Sequence, residues 1–395
     1  MTDPPSVTLR EASGFTRLPL PEHVAAGIAR LKIATVSPTD YGEWDVGGIS
    51  KVGVVRLGET VVRIEPKVPI DRLFFLLSRS LDWDAWRDED VTVSSVDALY
   101  PAIADLFARF SERVIRAGIL RSYKEIRAAE PFVRGRWLVS EQIRKRHGLP
   151  LPAELIYDDF TTDIAENRLL RSASRRLLRF DGLTRELRTR LSRIEAQLGE
   201  AELLTRGRPL PAVKFDRRNA HYRQTLGLAR LVLEDASLDQ AMADVSAAGF
   251  LLNVPAVFER FIEAEVTRAA VKHGGEIIAQ KVDHLDAERR VEIRPDLVWV
   301  FDGSVRAVFD AKYKAEKPAG YPNADIYQML AYCLRHGVAE GHLIYAAGNE
   351  EPTRYLIQHA GVTVVCHVIA LNTTPGSIMG QVDELIDSAL GVATI

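Results

Sequence analysis

Cysteine is scarce. The 395 residues hold two, Cys333 and Cys366, too few for a disulfide framework or a cysteine zinc module. Long apolar runs are missing as well. Nothing reaches the roughly 18 consecutive apolar residues that a membrane span requires, so no membrane partner is expected. The opening residues, MTDPPSVTLREASG, contain acids and no apolar stretch, so no secretory signal is expected. No G-x-x-x-x-G-K-[ST] loop occurs, which excludes a P-loop nucleotide motor in this chain. Repeats with a period of roughly 20–50 residues and low-complexity tracts are also missing, which excludes solenoids and biased tails. A reduced, cytoplasmic protein is the expectation.

What is present is ordinary in bulk and uneven in detail. At 47% apolar and 27% charged residues the chain has globular composition, with enough length for two or three domains. The net charge of −3 conceals a basic middle. Between Arg109 and Arg230 there are about 27 Lys and Arg against about 15 Asp and Glu. A phosphate-binding surface would need such a segment. Solvated, arginine-rich helix faces would produce the same count.

The patterning divides the chain three ways. ISKVGVVRLGETVVRIEPKV reads as a hairpin turning at Leu57-Gly58-Glu59, and IDRLFFLLSRSLDW places Leu73, Leu76, Leu77 and Leu81 at helical spacing. This predicts a small β-rich domain over 1–95. From Val96 the stripe Leu99, Ile103, Leu106, Phe107, Phe110 and Val114 predicts a helix ending at Gly118, and further helical segments follow. Residues 96–235 are therefore read as a basic helical region. Beyond, helices and strands alternate, which predicts a mixed sheet flanked by helices over 236–395. The fold class is α+β, multidomain.

The chemistry concentrates in RPDLVWVFDGSVRAVFDAKYK, residues 294–314. Two apolar strands surround the turn signal Asp302-Gly303, yet the second places Asp310 and Lys312 on one face. A three-residue loop sets Asp296 opposite Asp310, and a two-residue loop sets Pro295 there instead; either way the acids lie close. Adjacent carboxylates repel unless a proton or cation lies between them, and oxygen donors favour Mg²⁺ or Mn²⁺. A lysine beside such a pair can meet a developing phosphate charge. Glu259 lies on the preceding helix, in VFERF, flanking a face made of Phe258, Phe261 and Ile262. Gln328 and Tyr332, at i and i+4 in QMLAY, share a helical face. Glu65-Pro66-Lys67 repeats the acid-x-lysine spacing without an acid across its hairpin and is read as structural. His284 and His342 have no soft-donor cluster around them and are read as ordinary.

This ordered set resembles the PD-(D/E)xK nuclease superfamily. The resemblance implies an α/β/α domain with Glu259, Asp296 and Asp310 at the metal, Lys312 at the reacting phosphate, and Gln328 and Tyr332 in support. GVVRLGETVVRIEPKV…LFFLLSRSL, AGILRSYKEIRAAEPFVRGRW and YDDFTTDIAENRLLRSA are similar to the N-terminal and middle blocks of McrC, the nuclease subunit of modified-cytosine-dependent restriction systems. That resemblance implies a Mg²⁺-dependent endonuclease acting on double-stranded DNA. It also implies an N-terminal region that docks on a hexameric AAA+ GTPase, McrB, and stimulates it. Two other readings stand beside it. One is a regulatory subunit that mainly activates the partner GTPase; the other is a stand-alone repair nuclease of the RecB type.

Overall fold

The computed structural model describes residues 5–11, 14–40, 42–81, 95–180, 182–205, 207–234, 247–313, 321–346 and 352–391. The chain divides into two compact units, one formed by residues 1–102 with 241–395 and the other by 103–240. No described helix is long and apolar enough to cross a membrane.

The first unit begins with β1 (Ser6–Arg10), β2 (Thr16–Leu18), α1 (Glu22–Arg30), β3 (Thr35–Pro38), β4 (Trp44–Gly47), β5 (Lys51–Leu57), β6 (Thr60–Glu65) and α2 (Ile70–Ser80). β5 and β6 form the expected hairpin, with Gly58 at φ +62° in the turn. β1 joins β6 in parallel, and β2, β4 and β3 make a separate three-stranded sheet. In α2, Leu73, Phe74, Leu76 and Leu77 form the buried stripe. α3 (Val96–Ala117) follows and runs from the first unit into the second, with Leu99, Ile103, Phe107 and Val114 buried, and stops before Gly118 at φ +114°.

The second unit contains β7 (Ser122–Glu130), β8 (Arg136–Trp137), α4 (Val139–Arg146), β9 (Ala153–Thr161), α5 (Ala165–Leu177), α6 (Arg185–Gln197) and α7 (Arg223–Glu234). The region expected to be helical thus also holds an antiparallel sheet, with β9 between β7 and β8. Charge conceals β7 in the sequence. Its half-buried positions alternate as Lys124, Ile126, Ala128 and Glu130, so period two is present without an apolar face to announce it.

The chain then returns to the first unit through β10 (Ala247–Asn253), which pairs antiparallel with β5. Asn253 ends that strand and caps the next helix, α8 (Val254–His273), its side-chain oxygen accepting the N–H of Ala256 with Pro255 in the first turn. β11 (Glu276–Ala279), β12 (Asp283–His284), β13 (Glu292–Ile293), β14 (Leu297–Phe301), β15 (Ser304–Lys312), α9 (Asn323–His336), β16 (Glu340–Ala346), β17 (Thr353–Ile357), β18 (Val362–Ile369) and α10 (Pro375–Gly391) complete it. Six strands form a mixed sheet in the order β11-β14-β15-β16-β18-β17, with β15, β16 and β18 parallel to one another. Under α9, Val308, Leu343, Val364 and Cys366 from these three strands pack with Met329, Tyr332 and Cys333. This fixes the face on which Asp310 and Lys312, two and four residues beyond Val308, also stand.

The β14–β15 hairpin combines both registers that the sequence allowed. Phe301 pairs with Ser304 across a two-residue turn, with φ positive at Asp302 and Gly303. A bulge then shifts the register between Trp299 and Val300, and Leu297 meets Phe309. Continued by one residue, that pairing sets Asp296 opposite Asp310, as the three-residue alternative required.

Gly53 makes the closure of β5 on β10 possible. It sits at φ +142°, and a Cβ there would lie 2.1 Å from the carbonyl oxygen of Phe250. Gly53→Ala should therefore cost more than about 3 kcal/mol in chemical denaturation. A change below about 0.5 kcal/mol would show that the two strands do not approach this closely.

Candidate active site

Three elements bring the acids together. Asp296 stands just before β14, Asp310 lies inside β15, and Glu259 faces them from α8. Asp310 is 2% exposed, whereas Glu259 and Asp296 are half-buried. Asp296 is fixed on one side by the N–H of Ala311, which donates to its Oδ2 at 2.8 Å. On the other side, Gln280 Nε2 donates to Asp296 Oδ1 at 3.0 Å and to Glu259 Oε1 at 2.6 Å. One amide nitrogen therefore occupies the position between two carboxylates that a cation would favour.

Lys312 covers the third carboxylate. Its Nζ lies 2.5 Å from Asp310 Oδ2 and donates to Gln328 Oε1 at 2.9 Å. The ammonium is the partner that this buried oxygen has. Tyr332, one turn beyond Gln328, donates to the carbonyl of Arg294 at 3.2 Å and so fixes the backbone entering Pro295-Asp296. All six residues singled out in the sequence thus lie around one end of β15.

The crowding shows in the proton affinities. Burial, followed by the charges of Asp296 and Asp310, pushes Glu259 up to about 7. Burial and Asp296 push Asp310 up to about 6 against the opposing pull of Lys312. Burial works against the Lys312 ammonium, but Asp310, Asp325 and Asp296 outweigh it and raise its pKa. Among the described residues, the three carboxylates outnumber the lysine beside them, and Arg260 eases the charge only on the side of Glu259.

Three contributors were not singled out in the sequence. Gln280 ends the apolar strand EIIA at φ +49°, and a lone amide at such an end is a weak signal. Glu263 lies one turn beyond Glu259, and its pKa is raised by burial, with Asp296 adding to the effect. That i,i+4 spacing was readable. Asp325, buried in the first turn of α9, accepts the hydroxyl of Tyr345 at 2.8 Å and adds its charge to Asp310 and Lys312.

The donor chemistry fits a hard divalent cation: three carboxylates, two of them with raised proton affinity. Among the described residues, no three His, Cys, Asp or Glu side chains are placed close enough together to hold a metal ion as they stand. Gln280 bridges Glu259 and Asp296, and Lys312 covers Asp310. His342 does not belong to this site. It stacks on Phe309 with its Nδ1 3.1 Å from His367 Nε2, and burial pushes it down to about 3.

Much of the basic middle is committed within its own unit. Arg190 bridges Asp105 and Glu112, Arg175 pairs with Glu195, and Arg168 with Asp163. Arg188 donates to the carbonyls of Leu178 and Phe180 at the end of α5. These arginines staple helices, and their number alone is no argument for a phosphate surface.

A carboxyl whose folded pKa lies above its unfolded value contributes stability at low pH and loses it as pH rises through the folded value. For Asp310 that window runs from about 4 to about 6. In metal-free protein, Asp310→Asn should therefore raise the melting temperature by a few degrees at pH 8 and by less at pH 5. Differential scanning fluorimetry at the two pH values reads this directly. A fall in melting temperature at pH 8 would mean that the charge is compensated without an ion.

A family model for the McrBC 5-methylcytosine restriction system component matches residues 49–346. No curated protein matches the chain. Among solved structures, a chain of a refined half-complex from a tetradecameric assembly of Thermococcus gammatolerans McrB AAA+ hexamers with bound McrC is similar. It is 18% identical with a TM-score of 0.50, and the match covers 96% of this chain and 100% of that one. A chain of the cryo-EM structure of the T. gammatolerans McrBC complex is 20% identical over 68% of this chain and 88% of its own, with a TM-score of 0.40. The family match spans well over half of the sequence, and the chain belongs to the McrBC 5-methylcytosine restriction system component family.

Proposed function

We propose that this chain is the McrC-type nuclease subunit of such a system, a Mg²⁺-dependent endonuclease of PD-(D/E)xK type acting on double-stranded DNA. The observation that carries the reading is the buried excess of carboxylate at the end of β15, with Lys312 beside it. A hydrophobic strand would not retain Asp310 at 2% exposure for stability, because a buried carboxylate without full pairing costs several kcal/mol.

Glu259, Asp296 and Asp310 would hold the ion. Mg²⁺, when bound, would supply an electrophile to the phosphate and lower the pKa of a water. Neutralisation of the carboxylates would release Lys312 from Asp310. Its ammonium could then donate to a non-bridging phosphate oxygen and stabilise the negative charge that develops during displacement. Gln328 fixes the approach of the lysine. Gln280 keeps Glu259 and Asp296 oriented toward each other before the ion arrives.

The similar solved chain comes from an assembly described as McrB AAA+ hexamers with bound McrC. We take an AAA+ GTPase of that kind as the partner, with this chain stimulating its GTPase and cutting when the partner is engaged. Recognition of modified sequence would then belong to the partner.

Plasmid DNA incubated with Mg²⁺, the chain, the AAA+ protein and GTP should be cut, and omission of partner or nucleotide should abolish cutting. Lys312→Ala and Asp310→Ala should each lower the rate at least about a hundredfold while still assembling with the partner. Cutting by the chain alone would favour a free-standing nuclease. GTPase stimulation without any cutting would make it a regulatory subunit.

A further inference from the structure

Tyr313 follows Lys312 at the end of β15 and touches three other parts of the first unit. Its ring packs on Phe258 of α8, with centroids 5.9 Å apart, and Phe258 directly precedes Glu259. The ammonium of Lys67 lies 4.5 Å over the ring. Its hydroxyl donates to Glu11 Oε2 at 3.2 Å. Glu11 in turn continues the β1–β6 pairing, its N–H donating to the carbonyl of Glu65 at 2.8 Å, and its Oε2 also accepts the N–H of Lys67 at 3.1 Å. Tyr313 therefore connects the N-terminal sheet to both sides of the candidate site.

Glu11 is an expensive residue at this position. It is 1% exposed, and its Oε1 has no hydrogen-bond partner among the described residues. Burial pushes its carboxyl up to about 7. A buried carboxyl with one oxygen unsatisfied is a poor way to stabilise a core, and an apolar side chain would pack there at lower cost. What the carboxyl supplies is direction: one oxygen holds a main-chain N–H after β6 and the phenol after Lys312 at the same time.

We propose that Tyr313 is a positioning residue, its hydroxyl anchored by Glu11, so that the N-terminal sheet sets the end of β15 and with it the placement of Lys312 relative to Glu259. The inference rests on the nuclease reading of that site. It assigns Glu65-Pro66-Lys67, otherwise a structural repeat of the acid-x-lysine spacing, a part in the anchor. It also gives the N-terminal sheet a direct route to the reacting residues.

The test is a double-mutant cycle on the full chain with its AAA+ partner, GTP and Mg²⁺, together with hydrogen exchange on the chain alone. Tyr313→Phe keeps the ring and removes the hydroxyl. It should lower kcat about tenfold with the KM for DNA unchanged within about twofold. Glu11→Ala should do the same, and the double variant should lose no more than either single one. Glu11→Gln, which keeps an accepting oxygen, should recover most of the rate. In Tyr313→Phe, amide exchange should accelerate over residues 308–312 and stay unchanged over β16.

Wild-type kcat in Tyr313→Phe would overturn the proposal, as would losses that multiply in the double variant. Faster exchange across the whole unit would reduce Tyr313 to a general packing residue. If the wild-type chain cuts no DNA, the nuclease reading fails separately. The exchange measurement still decides the anchor, because unchanged exchange over 308–312 overturns it.

Discussion

Asp310 carries its charge inside a strand whose neighbours Val308 and Phe309 are fully buried. Around it stand another carboxylate from across the hairpin, a third from α8 and, among the described residues, the ammonium of Lys312. The rest of the first unit can be understood as support for that imbalance. The apolar hairpin holds the acids at fixed register, and the core under α9 closes one face. Gln280 and Ala311 occupy carboxylate oxygens with N–H donors. Each measure limits the repulsion without cancelling it, and the proposed divalent cation would complete it.

The same imbalance accounts for how the unit is tied together. β10 runs from the N-terminal sheet directly into α8, so the strand that closes the first sheet also presents Glu259 to the second. Arg79 at the end of α2 forms a bidentate pair with Glu265, itself 4% exposed and six residues beyond Glu259. A bidentate guanidinium fixes orientation as well as distance. α8 is therefore held at its start and at its middle, and its register against the acids of β14 and β15 depends on elements nearly two hundred residues earlier in the chain.

The hairpin was legible because its signals are local. Asp302-Gly303 demands positive φ, and the alternation of valines and phenylalanines sets which side chains share a face. The register was legible only as a pair of alternatives, since a bulge lets a two-residue turn coexist with the pairing of a three-residue one. Glu259 was identifiable by its order in the motif, while Gln280 was not. Its part depends on β11 lying beside β14, a pairing that no short-range pattern announces. β7 escaped for a different reason: its face is half charged, so the periodicity carries no apolar contrast. The arginines of the second unit show the limit of counting charge, because their partners are acids and carbonyls brought close by folding alone.

If the carboxylates at the end of β15 form a cation site, the purified chain should bind Mn²⁺ without DNA or partner. The free-ion signal in electron paramagnetic resonance should fall as wild-type protein is added. Asp310→Asn, with its fold verified by melting, should weaken that binding at least about tenfold, a difference of roughly 1.4 kcal/mol. Equal binding by both proteins, or none by the wild type, would mean that these carboxylates do not form a cation site.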